Sequence, residues 1–177
     1  MKNFRISKRF VPVFVLCCTA TLVACHRGPS AAEQRRQEKH VQDSIALCDQ
    51  QRSLDYYQSQ LEQLQPVADS LLPLFRYEKN DKYQDNGFYV MERGRLRVLV
   101  RDDARRQPVG YLNGQRIDLE PYRARDSKEY KQLWPAEQQI IDPAFRLYIV
   151  MADIRELEKR IQRTSLEIEK YQKRLQK

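Results

Sequence analysis

Apolar side chains along this chain follow two periods and one unbroken run, and each predicts a different element. Leu47, Leu54, Leu61 and Ala68 share one position of a seven-residue repeat, and Gln50, Tyr57, Leu64 and Leu71 share the position three later. This three–four alternation puts all eight on one seam of a helix. Val41, Ile45 and Cys48 make a shorter stripe, slightly rotated from that seam. The pattern returns near the end of the chain. There Leu147, Ile154, Ile161, Ile168 and Leu175 recur every seven residues, with Val150, Leu157, Thr164 and Tyr171 three further on. Asp142-Pro143 reads as the start of this second helix, the aspartate as cap and the proline in the first turn. Pro66 lies on the solvent side of the first helix and predicts a kink or a break, and Pro73 predicts its end.

Between the two seams the period falls to two. Leu96, Val98 and Val100 alternate with Arg95, Arg97, Leu99 and Arg101, which predicts a strand with one apolar and one largely basic face. Strands are expected at 88–91, 95–101, 109–112 and 116–119. Asn113-Gly114 is the strongest turn signal, Arg93-Gly94 a second, and 102–108 a longer loop. Cover for the small meander is expected from Leu74, Phe75 and Tyr77 or from 130–134. Glycine placement agrees with this division, since none falls in 30–86 or 115–177.

The unbroken run, Phe10 to Val23, follows a basic start of Lys2, Arg5, Lys8 and Arg9 and ends in Leu22-Val23-Ala24-Cys25. It is shorter than the roughly 20 residues needed to span a bilayer and fits the core of a signal peptide. Pro12 disfavours the alternative of an uncleaved anchor helix. A second alternative is ordinary secretory cleavage after Ala24, leaving Cys25 as a plain thiol. The ending resembles the lipobox of a bacterial lipoprotein precursor. The resemblance implies lipidation of Cys25 and a cell-envelope location beyond the cytoplasm. By sorting-rule resemblance, His26 in place of an aspartate favours the outer membrane. The absence of an acidic cluster in the tether favours its periplasmic face. The mature region resembles coiled-coil envelope lipoproteins in a general way, without residue-level motifs of a named family.

Together these readings predict an α+β fold: a long antiparallel α-helical (coiled-coil) hairpin with a small antiparallel β-meander inserted at its tip. The divisions are a signal peptide over 1–24, a lipidated tether over 25–31 and a first helix over 32–72. A β module over 73–125, a connecting short helix or loop over 126–142 and a second helix over 143–177 follow. The alternative for the seams is packing in a compact helical bundle. A module far along the hairpin supports a non-catalytic scaffold or accessory subunit, with an envelope protein as partner.

Charge changes this picture little. The chain holds 32 Lys and Arg against 24 Asp and Glu. Four of the basic residues fall in the signal, so the mature balance is +4, too small to argue for nucleic acid. Positive charge concentrates on the β module, where Arg93, Arg95, Arg97, Arg101 and Arg116 are candidates for an anionic partner such as peptidoglycan or another anionic glycan. Nearby Asp102, Asp103 and Asp118 are expected to neutralise much of this charge, and the alternative is a solvated sheet face whose arginines discourage edge pairing. Cys48 is the one thiol left after the signal and Cys25, and is read as inert in the helix interface or as half of an intermolecular disulfide. His26 and His40 are the only histidines, and no cluster has metal-ligand spacing. Neither a catalytic motif nor a cofactor motif is found. Aromatics gathered near Tyr122, Tyr130, Trp134 and Tyr148 either pack at a junction or anchor a partner.

Overall fold

A computed structural model describes residues 30–79 and 87–176. The expected signal peptide, Cys25 and the tether as far as Pro29 lie outside the described residues. The first helix, α1 (Ala31–Leu71), opens with a reciprocal cap. Ser30 Oγ accepts the Glu33 N–H at 3.3 Å, and the Glu33 carboxylate accepts the Ser30 N–H at 2.8 Å, satisfying two backbone donors that a helix start leaves open. The helix continues through Pro66, so the break allowed for there does not occur. It ends before Pro73, which sits in a short 3-10 turn, Leu72–Leu74.

The chain then enters a five-stranded antiparallel sheet in sequential order: β1 (Arg76–Lys79), β2 (Gly87–Arg93), β3 (Leu96–Arg101), β4 (Val109–Leu112) and β5 (Gln115–Asp118). Two-residue turns connect β2 to β3 and β4 to β5. Asn113 (φ 52°) and Gly114 (φ 80°) supply the positive φ at both central positions that matches the twist of a hairpin. Beyond the sheet come two single-turn helices, α2 (Lys128–Lys131) and α3 (Pro135–Gln138), and then the long α4 (Ile141–Leu175). Asp142 stands within the first turn of α4, ion-paired to Arg125; the capping position belongs to Ile140.

Helices α1 and α4 run antiparallel along one another. Asp43 near the start of α1 meets Arg174 near the end of α4 at 3.7 Å, and farther along Arg160 lies over the Tyr57 ring. Every residue of the two heptad seams is buried or half-buried, with Val150, Thr164 and Ile168 among the most enclosed. Cys48, by contrast, is exposed, together with Val41 and Ile45. The expectation of an interface thiol fails because that stripe is rotated off the seam, and rotation about a helix axis moves a side chain from partner to solvent.

The β-meander is not inserted at the tip of a hairpin, which corrects the predicted architecture. It follows directly from α1 and shares one core with both long helices. Leu96, Val98 and Val100 of β3 are fully buried against Leu71 and Phe75 from the end of α1 and its turn, and against Ile141, Ala144, Phe145 and Leu147 of α4. The physical reason is the apolar face of the sheet. A lone meander of this size cannot cover that face, so the first turns of α4 become part of the sheet's core. Leu133 and Leu119 also belong to this core, whereas Leu74 and Tyr77, expected as cover, stay exposed.

Candidate functional site

Strand alternation divides the sheet residues between two faces. Against the helices lie Leu96, Val98 and Val100; the other face of β3 presents Arg97, Leu99 and Arg101. Across the register this outer face includes Glu92 beside Arg97 and Tyr111 on its other side, with Arg116 next beyond Tyr111. A depression of about 450 Å³ lies here, lined by Glu92, Arg95, Arg97, Leu99, Tyr111 and Gly114.

The five candidate arginines differ in what they already hold. Arg95, in the β2–β3 turn, grips Glu137 of α3: its backbone N–H and Nε donate to Oε1 at 2.9 Å, and Nη2 donates to Oε2 at 3.0 Å. Glu137 is 0% exposed and also accepts the Trp134 N–H at 2.8 Å. The Arg95 guanidinium holds this carboxyl down to about 2 from its ordinary 4.5, and the two backbone N–H donors add to the effect against the opposing cost of burial. Its guanidinium also stacks over the Trp134 ring, 4.1 Å from the centroid. Gly94, at φ 58°, fits between them, since a Cβ there would fall 2.9 Å from Glu137 Oε1.

Arg97 reaches Glu78 of β1 at 2.6 Å, and Arg76 shares the same carboxylate. Arg101 makes two parallel bonds to Asp103, at 3.0 and 2.8 Å, in the fork geometry that suits a guanidinium and a carboxylate. Burial works to raise the Asp103 carboxyl, but the Arg105 N–H and the Arg101 charge outweigh it and leave the group below the ordinary carboxylate range. Arg93 and Arg116 have no carboxylate partner among the described residues, and both are exposed. The arginines of β3 and its turn are therefore bound up in internal ion pairs with α3, β1 and the loop after β3, and of the five candidates only Arg93 and Arg116, near the two hairpin ends, hold no carboxylate among the described residues.

Sequence reasoning missed Glu137 as a partner and the burial of Asp103, an acid it set, with Asp102 and Asp118, against the arginine charge. A signal for the first existed: Trp134-Pro135-Ala136-Glu137 places a proline in a first helical turn with an acid at the position that folds back on the preceding backbone. Glu137 makes that bond, and its spare acceptor capacity receives Arg95. Asp103 had no comparable local pattern, because its burial depends on how the loop after β3 packs. The strand β1 was also missed. Arg76-Tyr77-Glu78-Lys79 alternates weakly and follows a helix without a loop.

Among the described residues no three His, Cys, Asp or Glu side chains converge as metal ligands, and no helix is long and apolar enough to cross a membrane. Comparison with protein-family models, curated proteins and solved structures found no match.

Proposed function

We propose that this chain is an envelope lipoprotein, anchored through lipidated Cys25, that acts as a non-catalytic scaffold or accessory subunit and holds its sheet clear of the membrane for an envelope protein partner. The observation that supports this reading is α1. It is one helix of 41 residues that opens shortly after Cys25, is braced by α4 from about Asp43 onward, and has the sheet packed at its far end. At 1.5 Å per residue it spans roughly 60 Å. A continuous, side-braced helix suits spacing, because its length does not fluctuate as a coil's would. Two or three acyl chains on Cys25 suffice for stable attachment. The favoured location is the periplasmic face of the outer membrane.

A second reading, binding of peptidoglycan or another anionic glycan, draws on Arg93 and Arg116, which hold no internal carboxylate among the described residues. One experiment separates the two. A photoreactive residue is placed at Arg93 or Arg116 in the full-length lipoprotein, crosslinked in cells, and the captured species identified by mass spectrometry. A single dominant envelope protein is expected. Capture of glycan fragments alone would overturn the scaffold reading in favour of the second. Metabolic labelling with palmitate, lost in Cys25→Ser, tests the anchor separately.

A further inference from the structure

The sheet order leaves β5 with a neighbouring strand on one side only. Its hairpin register decides which backbone groups are spent. The two-residue turn at Asn113-Gly114 closes on Leu112 and Gln115, which exchange both main-chain bonds, and bonded pairs of an antiparallel ladder recur at every second residue. Gly110 and Ile117 are the next such pair. The N–H and C=O of Arg116 and Asp118 therefore turn away from β4 to the open edge, and among the described residues no other backbone group bonds to them. Gln115, Arg116 and Asp118 are exposed, and neither a proline nor a bulge blunts the strand.

Side chains add charge to this edge. A depression of about 420 Å³ lies beside the strand, lined by Arg106, Gln107 and Pro108 from the loop before β4 and by Arg116, Ile117 and Asp118 of β5. Arg106 and Arg116 are exposed and hold no carboxylate among the described residues. Asp118 is partly used, since its Oδ1 accepts the Glu120 N–H at 3.1 Å. Two unengaged guanidiniums against one occupied carboxylate leave the edge with a positive surplus. The opposite edge differs, because Arg76 of β1 already shares Glu78 with Arg97. A free row of main-chain donors and acceptors beside a charged groove accepts an extended chain as a further strand. The main-chain bonds supply affinity, and side chains at alternate positions supply specificity.

We propose that β5 is the docking edge for an extended acidic segment of the envelope protein partner, which adds antiparallel as a sixth strand. An Asp or Glu of that segment stands opposite Arg116, where a cross-strand pair of opposite charges is favourable. The proposal rests on the scaffold reading and names its docking surface and the chemistry of the partner. A second copy of this chain is the poorer occupant. Arg116-Ile117-Asp118 is self-complementary in antiparallel pairing, but the two-fold axis of such a pair stands perpendicular to the sheet. That axis reverses the helices packed on the sheet, so the two lipid anchors would point in opposite directions. One membrane does not hold both.

The test places a photoreactive residue at Gln115 of the full-length lipoprotein, crosslinks in cells and identifies by mass spectrometry the peptide joined to it. Leu166, exposed on α4, carries the same residue as the reference position. One envelope protein is expected at Gln115, joined through a single segment that contains Asp or Glu. Arg116→Pro removes an outward N–H and the charge while leaving the bonds to β4, as proline is tolerated where a strand faces solvent. It is expected to cut the adduct about tenfold, as is Arg116→Glu, whereas Arg116→Lys keeps most of it. Melting of the purified variants shows that each folds, and Arg116→Glu carries the test if Arg116→Pro does not. An undiminished adduct in either variant, or a joined segment without an acid, would overturn the strand addition. So would an adduct of the chain with itself or with glycan alone. An envelope protein captured at Arg93 or Leu166 but not at Gln115 would overturn this proposal and leave the scaffold reading standing. Capture of no protein at any of the three positions would overturn both.

Discussion

Glu137 has the most demanding environment of any single side chain here, being fully enclosed yet ionised by four donors from Arg95 and Trp134. Removing the charge from one side of a buried pair leaves the other uncompensated, so Glu137→Gln is expected to lower stability by about 3 kcal/mol. Urea unfolding of the variant measures it. The acid response follows in sign. The folded value of about 2 lies below the ordinary 4.5, so the unfolded chain binds the proton more readily. This contribution is complete above pH 4.5 and lost as pH falls through about 2. Wild type and Glu137→Gln are therefore expected to converge in stability across that window, and parallel curves would rule the linkage out. Cys48 makes a second prediction at this scale. Because it is exposed, a thiol reagent should label it in the native chain at nearly the rate seen in urea, whereas an interface thiol would be protected.

Among the elements, α1 and α4 owe their pairing to seams that sequence periodicity locates and that burial follows along their length. Ile161 stands midway along the α4 seam, half-buried. Ile161→Asp places a charge where desolvation is not compensated, and is expected to cost about 2 kcal/mol in thermal or urea unfolding. Leu166, exposed on the same helix, is the control, since Leu166→Asp should be near neutral. Pro66 shows a helix tolerating a residue that usually breaks it. The proline removes one backbone bond near the end of α1, and packing of the next turns through Val67, Ala68 and Leu71 outweighs the loss.

At the level of the whole molecule, the sheet has no core of its own. Its inner face is completed by Leu71 and Phe75 from one side of the chain and by Ile140, Ile141 and Leu147 from the other. A fragment of residues 73–125 alone is therefore expected to be unfolded, with collapsed amide dispersion in its NMR spectrum, while the full chain unfolds in a single transition. A fragment that kept native dispersion would show that the meander is autonomous and that the shared core is incidental. The same dependence distributes the arginines. Arg95 is held by α3, Arg97 by β1 and Arg101 by the loop, so the sheet's charge serves cohesion before it can serve recognition.

Periodicity alone determined the two long helices, the faces they turn inward, the inward alternation of β3 and the Asn113-Gly114 turn. These depend on neighbours a few residues away, and local spacing encodes them. Four strands were legible for the same reason. The fifth, β1, was not, because its pairing with β2 rather than its own pattern makes it a strand. How the meander joins the helices was decided only in three dimensions, as were the burial of Glu137 and Asp103 and the exposure of Cys48. Each depends on which distant surface arrives to cover a face, and a carboxylate remains buried and ionised only if the fold brings a guanidinium to it. Arg95 and Glu137 are 42 residues apart in sequence, and no local rule reaches that far.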